Sequence, residues 1–163
     1  MDILERFSKL VERDGEVYFL YDPMTGEKQG GGPSAWGAAA LLSAFDEGLA
    51  GVNDADCLYR EINFSPKFAV CSFGEIRYLT GYEVSNRYVD VRYTLKEEGM
   101  RYDVVSKAEK INAKILLPTG KVCNKLLVNG VNTLFDINTV RNSNYVCADV
   151  IGDREVSFEI IFN

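Results

Sequence analysis

Histidine is absent from this chain of 163 residues. Its absence removes the usual general base near neutral pH, the commonest metal ligand, and every Ser/His/Asp or Cys/His nucleophile system. Carboxylates are what remain for acid–base chemistry. Basic clusters are also lacking: 18 Lys and Arg stand against 24 Asp and Glu, and the net charge of −6 is spread without a basic stretch. That argues against a nucleic-acid partner. No apolar run approaches the roughly 20 residues that a membrane span needs, so no membrane partner is expected. The four cysteines, Cys57, Cys71, Cys123 and Cys147, form no CxxC pair and no zinc spacing, and the sequence implies no metal and no cofactor. Internal repeats and low-complexity tracts are missing as well.

What is present is ordinary for a globular protein, with 47% apolar and 26% charged residues. The cysteines read as reduced, buried thiols, or as one disulfide between neighbouring strands. The flanks of Cys71 and Cys147 resemble strand interiors. The N-terminus reads as an amphipathic helix and not as a signal peptide, because it has no apolar core segment and no small-residue cleavage site. By default this places the chain in the cytoplasm.

Residues 2–13 put Ile3, Leu4, Phe7, Leu10 and Val11 on one helix face, with Asp2 as cap and Asp14-Gly15 as stop. Glu16 to Tyr21 is extended, and Asp22-Pro23 and Thr25-Gly26 mark turns. Ser34 caps a second helix over 35–49, with Gly48 and Gly51 available to end it. This helix carries no charge before Asp46, and a helix apolar all round expects cover on most sides. An oligomer, or membership of a larger enzyme, would supply that cover.

Beyond residue 56 the apolar period changes from 3.6 to 2. The runs 87–94, 113–117 and 156–161 alternate, and turn signals separate them at Pro66, Gly74, Gly81, Ser85-Asn86, Glu98-Gly99, Pro118-Thr119-Gly120, Asn129-Gly130 and Gly152-Asp153. Asn129-Gly130 is the strongest hairpin signal. The expected fold is mainly β: an antiparallel β-sandwich, jelly-roll-like, preceded by two α-helices. The expected domains are a helical segment over 1–52 and the sandwich over 53–163.

The segment Asp22-Pro23-Met24-Thr25-Gly26-Glu27 sets a carboxylate on a loop, and Gly30-Gly31-Gly32-Pro33-Ser34-Ala35-Trp36 leads from it into the apolar helix. Tyr21, Asp22, Pro23, Thr25, Gly26, Glu27, Trp36 and Ala38-Ala39-Ala40 resemble the closing segment of inverting glycoside hydrolases built on a six-hairpin α/α toroid, the trehalase-like and processing-α-glucosidase-like families. Pro33-Ser34 departs from the aromatic-rich stretch of that pattern. Ser65-Pro66-Lys67-Phe68, Leu116 to Gly120 and Leu127 to Gly130 are similar to turns of the β-sandwich that follows the barrel in many bacterial members. The resemblance implies that Glu27, nine positions before Trp36, is the general base on the attacking water. It also implies that the general acid lies upstream, outside this chain. Inversion needs two carboxyl groups roughly 6.5–9.5 Å apart, so Glu27 would be half of a pair, and the implied partners are carbohydrate and the missing catalytic portion, or a second copy of the chain.

Each of these residues also has a plainer reading. Glu27 is equally a solvated turn residue. Asp22 before Pro23 is a local hydrogen-bonding residue rather than a second acid. Trp36, the only tryptophan, is either a sugar-stacking platform or a core residue. The three glycines read as a flexible loop, because no phosphate-binding motif accompanies them. Tyr78, Tyr82, Tyr88, Tyr93 and Tyr102 either line a sugar-binding face or pack within the sheets. The whole chain is therefore expected to be a carbohydrate-active enzyme's C-terminal part, inactive alone. The alternative is a non-catalytic module whose sandwich binds sugar or protein.

Overall fold

The computed structural model describes residues 2–151 and 154–163. The Asp2 side chain and Gly152-Asp153, where the sequence places a helix cap and a turn, lie outside what is described. The chain divides into two compact units, Met1–Phe45 and Asp46–Asn163.

In the first unit, α1 spans Asp2–Asp14. It stops at Gly15, whose φ of 71° needs no Cβ accommodation and whose N–H donates to the Val11 carbonyl (2.8 Å). Leu4, Phe7, Leu10 and Val11 are half-buried along one face, whereas Ile3 is exposed. Two strands follow, β1 (Tyr18–Tyr21) and β2 (Lys28–Pro33), paired antiparallel with Tyr21 opposite Lys28 and Tyr18 opposite Pro33. The glycine-rich spacer is thus a strand and not the flexible loop its composition predicts. The tight turn before it brings its backbone beside β1, and Gly30 and Gly32 (φ 83° and 59°) accommodate an irregular register there. Ser34 caps α2 (Ala35–Ser43) as expected, its Oγ accepting from the Gly37 N–H at 3.1 Å. Gly37 lets α2 approach β1 closely, since a Cβ there would lie 2.9 Å from Val17.

The second helix does not run as one α-helix over 35–49. It changes to a π-helical turn over Ala44–Ala50. That turn ends at Gly51, where φ is 64° and an added Cβ would meet the Ser65 carbonyl oxygen at 2.0 Å. The Gly51 carbonyl accepts from the Ser65 N–H, and Lys67 takes the Leu49 carbonyl with its N–H and the Gly48 carbonyl with its Nζ. These contacts occupy carbonyls that the end of a helix leaves open.

The second unit is a β-sandwich, mainly antiparallel. The six-stranded sheet has the order β10 (Val131–Thr133), β9 (Cys123–Val128), β13 (Glu155–Phe162), β7 (Gly99–Ser106), β6 (Arg87–Leu95) and β5 (Glu75–Tyr82). The five-stranded sheet has the order β11 (Asp136–Val140), β12 (Ser143–Ile151), β8 (Lys110–Leu116), β4 (Glu61–Phe64) and β3 (Val52–Asp54). One pairing, β4 with β8, is parallel. Such a pair needs a long crossover, and here three strands of the other sheet, β5 to β7, provide it. The Asn129-Gly130 hairpin forms as expected, with both residues at positive φ and Val128 opposite Val131.

Alternation puts Val91, Tyr93, Tyr102, Val104, Phe158 and Ile160 of one sheet against Ile62, Phe64, Ile111 and Ile115 of the other. Phe64 meets Tyr102 edge-on at 5.6 Å and lies 6.0 Å from Phe158. The Tyr93 and Tyr102 rings meet within the core at 4.9 Å, tilted by 37°, and both are fully buried. Neither hydroxyl has a hydrogen-bond partner among the described residues.

Candidate functional site

Asp22 organises the turn that carries Glu27. Its Oδ1 accepts from the N–H groups of Met24 (2.8 Å) and Thr25 (2.9 Å), and its Oδ2 from the Gln29 amide at 3.3 Å. Those N–H donors hold the Asp22 carboxyl below its ordinary value. The Asp22 N–H donates to the Glu27 carbonyl, and the Gly26 N–H to the Asp22 carbonyl, both at 2.8 Å. The residue is therefore the local turn former the sequence indicates, with its oxygens occupied.

Helix α1 braces this turn. Arg13 forks onto Asp14 with two bonds of 2.9 Å and donates a further 2.8 Å bond to the Gly26 carbonyl. Phe7 meets Tyr21 edge-on at 5.5 Å. Glu27 itself is exposed at the head of β2, its N–H donating to Thr25 Oγ1 at 3.2 Å, and its carboxylate acts on the Arg13 guanidinium through space. Rigid backbone and an accessible carboxylate are thus combined at one position.

Trp36 is not a core residue. It is 79% exposed at the start of α2, tilted against Phe19 with ring centroids 6.3 Å apart. The two rings border a shallow hollow of ≈ 310 Å³ with Pro33, Ser34 and Ala35, and Glu27 is not among its lining residues. Glu27 and Trp36 therefore do not share this hollow. None of the nine residues of α2 is buried; Leu42 within it is exposed, as is Leu20 in β1.

The tyrosines divide. Tyr93 and Tyr102 belong to the core. Tyr78 is half-buried and donates to Asp46, Tyr82 donates to Asp54 Oδ2 at 2.9 Å, and Tyr59 lies against the Tyr82 ring at 4.9 Å. The bond to Asp54 favours the neutral phenol and pushes Tyr82 up to about 12. All four cysteines are free. Cys123 is buried and Cys147 lies within β12, but Cys57 is exposed in the β3–β4 connection, and Cys71 follows a 3₁₀ turn rather than sitting inside a strand. The flanks of Cys71 are mostly apolar and those of Cys57 are more polar, and neither cysteine lies within a strand.

The outward face of the six-stranded sheet carries a second hollow, of ≈ 400 Å³, with Asp90, Arg92, Arg101, Asp103, Glu155 and Ser157 in its lining. Sequence reading missed this group. Its signal was the run of polar residues at alternate, outward positions of β6, β7 and β13, which becomes a site only once the strands are placed side by side. Among the described residues no cluster of three or more acidic or cysteine side chains is arranged to hold a metal ion, and no helix is long and apolar enough to cross a membrane.

No family model matches the chain, and no curated protein matches it. Among solved structures it is similar to an α-L-rhamnosidase from Dictyoglumus thermophilum, with a TM-score of 0.50 and 12% identity over 74% of this chain. The chain spans 13% of that protein's length. At that identity the likeness is one of fold.

Proposed function

We propose that the chain is the C-terminal portion of a carbohydrate-active, glycoside-hydrolase-like enzyme. Residues 1–52 close a helical-hairpin barrel supplied by a missing catalytic portion, and residues 53–163 form its accessory sandwich. Glu27 is the inherited general base, its paired acid comes from the missing portion, and the chain alone is inactive. Trp36 offers an aromatic surface to sugar. The observation that carries this reading is α2, an apolar helix without one buried residue, in the same unit as a braced turn that presents an accessible carboxylate. Exposed apolar surface of this kind marks an interface. The sandwich likeness to a much larger α-L-rhamnosidase also supports it, because that protein is a glycoside hydrolase.

The test is complementation. The reading frame upstream is cloned with this chain, or supplied as a separate fragment, and hydrolysis of trehalose, kojibiose, maltose and an α-L-rhamnoside is followed. The expected result is no hydrolysis by the chain alone, and restored hydrolysis that disappears with Glu27→Gln. Restored hydrolysis that survives Glu27→Gln would remove the base from its role. Hydrolysis by the chain alone would remove the split between two portions.

The second reading, a sugar-binding module without catalysis, is favoured by the closed core of residues 46–163. Under it, sugar binds the sandwich and Glu27→Gln changes nothing.

A further inference from the structure

The outward face of the six-stranded sheet is built from residues that share rows across the strands. Arg77, Arg92, Asp103 and Ser157 stand side by side on β5, β6, β7 and β13. Asn129, in the β9–β10 turn, extends the row: its Oδ1 accepts from the Ser157 N–H at 2.8 Å, and its N–H donates to the Ser157 carbonyl at 2.9 Å. Asp90 and Glu155 stand in the adjacent row.

The charges in these rows are not fully matched. Arg77 opposite Arg92 is a like-charge cross-strand pair, which is unfavourable. Arg77 escapes by forking onto Asp90, with bonds of 3.2 and 2.7 Å. Asp103, directly opposite Arg92, is taken instead by Arg101, with bonds of 2.7 to 3.1 Å. The Arg92 guanidinium makes no hydrogen bond among the described residues, although Asp90 lies in its field. A planar five-donor fork is therefore left open in the lining of a ≈ 400 Å³ hollow, together with carboxylate oxygens that have spare lone pairs.

An anion would meet Asp90, Asp103 and Glu155, and a simple cation would meet Arg92 and Arg101. A neutral group that donates and accepts at adjacent atoms satisfies both sets. Vicinal hydroxyls on a sugar ring have that property: their oxygens accept from a guanidinium while their protons go to carboxylates. We propose that this hollow is a non-catalytic subsite for a neutral saccharide, gripped edge-on through a pair of adjacent hydroxyls by Arg92 and Asp103. No aromatic ring lines it, so recognition rests on hydrogen bonds rather than stacking. The proposal rests on the reading of the chain as part of a carbohydrate-active protein, but it involves residues that hydrolysis at Glu27 does not use.

The test is an amide-resolved NMR titration of the full chain with maltotriose, cellotriose, xylotriose and glucuronate, each to about 10 mM, well above a millimolar Kd. The expected result is a saturating shift of the Arg92, Asp103, Asn129 and Ser157 amides with a neutral trisaccharide, weakened about tenfold by Arg92→Ala and by Asp103→Asn, and unchanged by Glu27→Gln. Amides elsewhere keep their positions in both hollow variants if the fold is intact. No shift at these amides with any neutral sugar overturns the subsite, as does a response to glucuronate alone. Shifts confined to Phe19 and Trp36 overturn it too, while leaving the enzyme-fragment reading intact.

Discussion

The sandwich buries Phe64, Tyr93, Tyr102 and Phe158 completely, while α2 in the N-terminal unit, apolar at nearly every position, buries none of its residues. Hydrophobic residues are thus used in opposite ways within one chain. In residues 46–163, strand alternation sends most of them to a shared interior, and charged residues such as Arg77, Asp90, Arg92 and Arg101 take outward positions. In α2 there is no polar face to set against an apolar one, so no single packing surface could absorb it. The difference teaches that the two units owe their stability to different sources. The sandwich has a self-contained core, while the N-terminal unit leans on local devices: the Asp22 turn, the Ser34 cap and the Arg13 brace.

The sharpest way to break this comparison is to remove a core ring from the sandwich. Phe158 is fully buried against Phe64, and truncation leaves a cavity in a close-packed interior. Phe158→Ala is expected to destabilise residues 46–163 by about 3–5 kcal/mol, read as a lower denaturant midpoint by circular dichroism. A loss below about 1 kcal/mol would mean that the core is loosely packed, and the contrast with α2 would fail.

A smaller effect of opposite sign is expected deeper in the same core. Tyr93 and Tyr102 bury hydroxyls with no partner, and leaving such a group unsatisfied is unfavourable by about 1–3 kcal/mol. Tyr102→Phe keeps the ring and removes that penalty, so stability is expected to rise by about 1 kcal/mol in a urea titration. The pH dependence follows from the same burial. Desolvation pushes Tyr93 up to about 12 and raises Tyr102 well above the ordinary phenol value. An unfolded phenol ionises near 10, so the folded state, which holds both neutral, keeps its full stability below pH 10. It loses stability as pH rises from 10 through 12. The Tyr93→Phe, Tyr102→Phe double variant is expected to flatten that alkaline decline, and an unchanged slope would show that the hydroxyls reach water.

What was legible in the sequence follows the range of the interactions. The alternating runs that became β6, β8 and β13 and the Asn129-Gly130 turn are local, and so are the Ser34 cap and the Asp22 turn; each could be read from a few neighbouring residues. The parallel β4–β8 pair could not, because three strands separate its members. The glycine strand β2 was hidden too, since its pairing depends on the turn before it and not on its own propensity. At the sites, the bracing of the Glu27 turn by Arg13 depends on a helix thirteen residues upstream of Gly26. The Arg92 hollow depends on the register of four strands, so its residues carried no signal while they were read one strand at a time.

The smallest effect is expected at Trp36. With 79% of its surface exposed, its side chain has little burial to lose, and its tilted contact with Phe19 is its one aromatic neighbour among the described residues. Trp36→Ala is expected to change stability by less than about 0.5 kcal/mol, the range of ordinary surface positions. As the only tryptophan, Trp36 also reports on its own surroundings. Its emission in the isolated chain should be that of a water-exposed indole, and it should move to shorter wavelength when an upstream fragment covers α2. A blue-shifted emission from the isolated chain would mean that Trp36 is already sheltered, by a second copy for example, and dilution would then separate self-association from a fold that differs at α2. Loss of the blue shift on Leu42→Glu, with the sandwich transition unchanged, would tie the covering partner to the apolar helix and not to the β-unit.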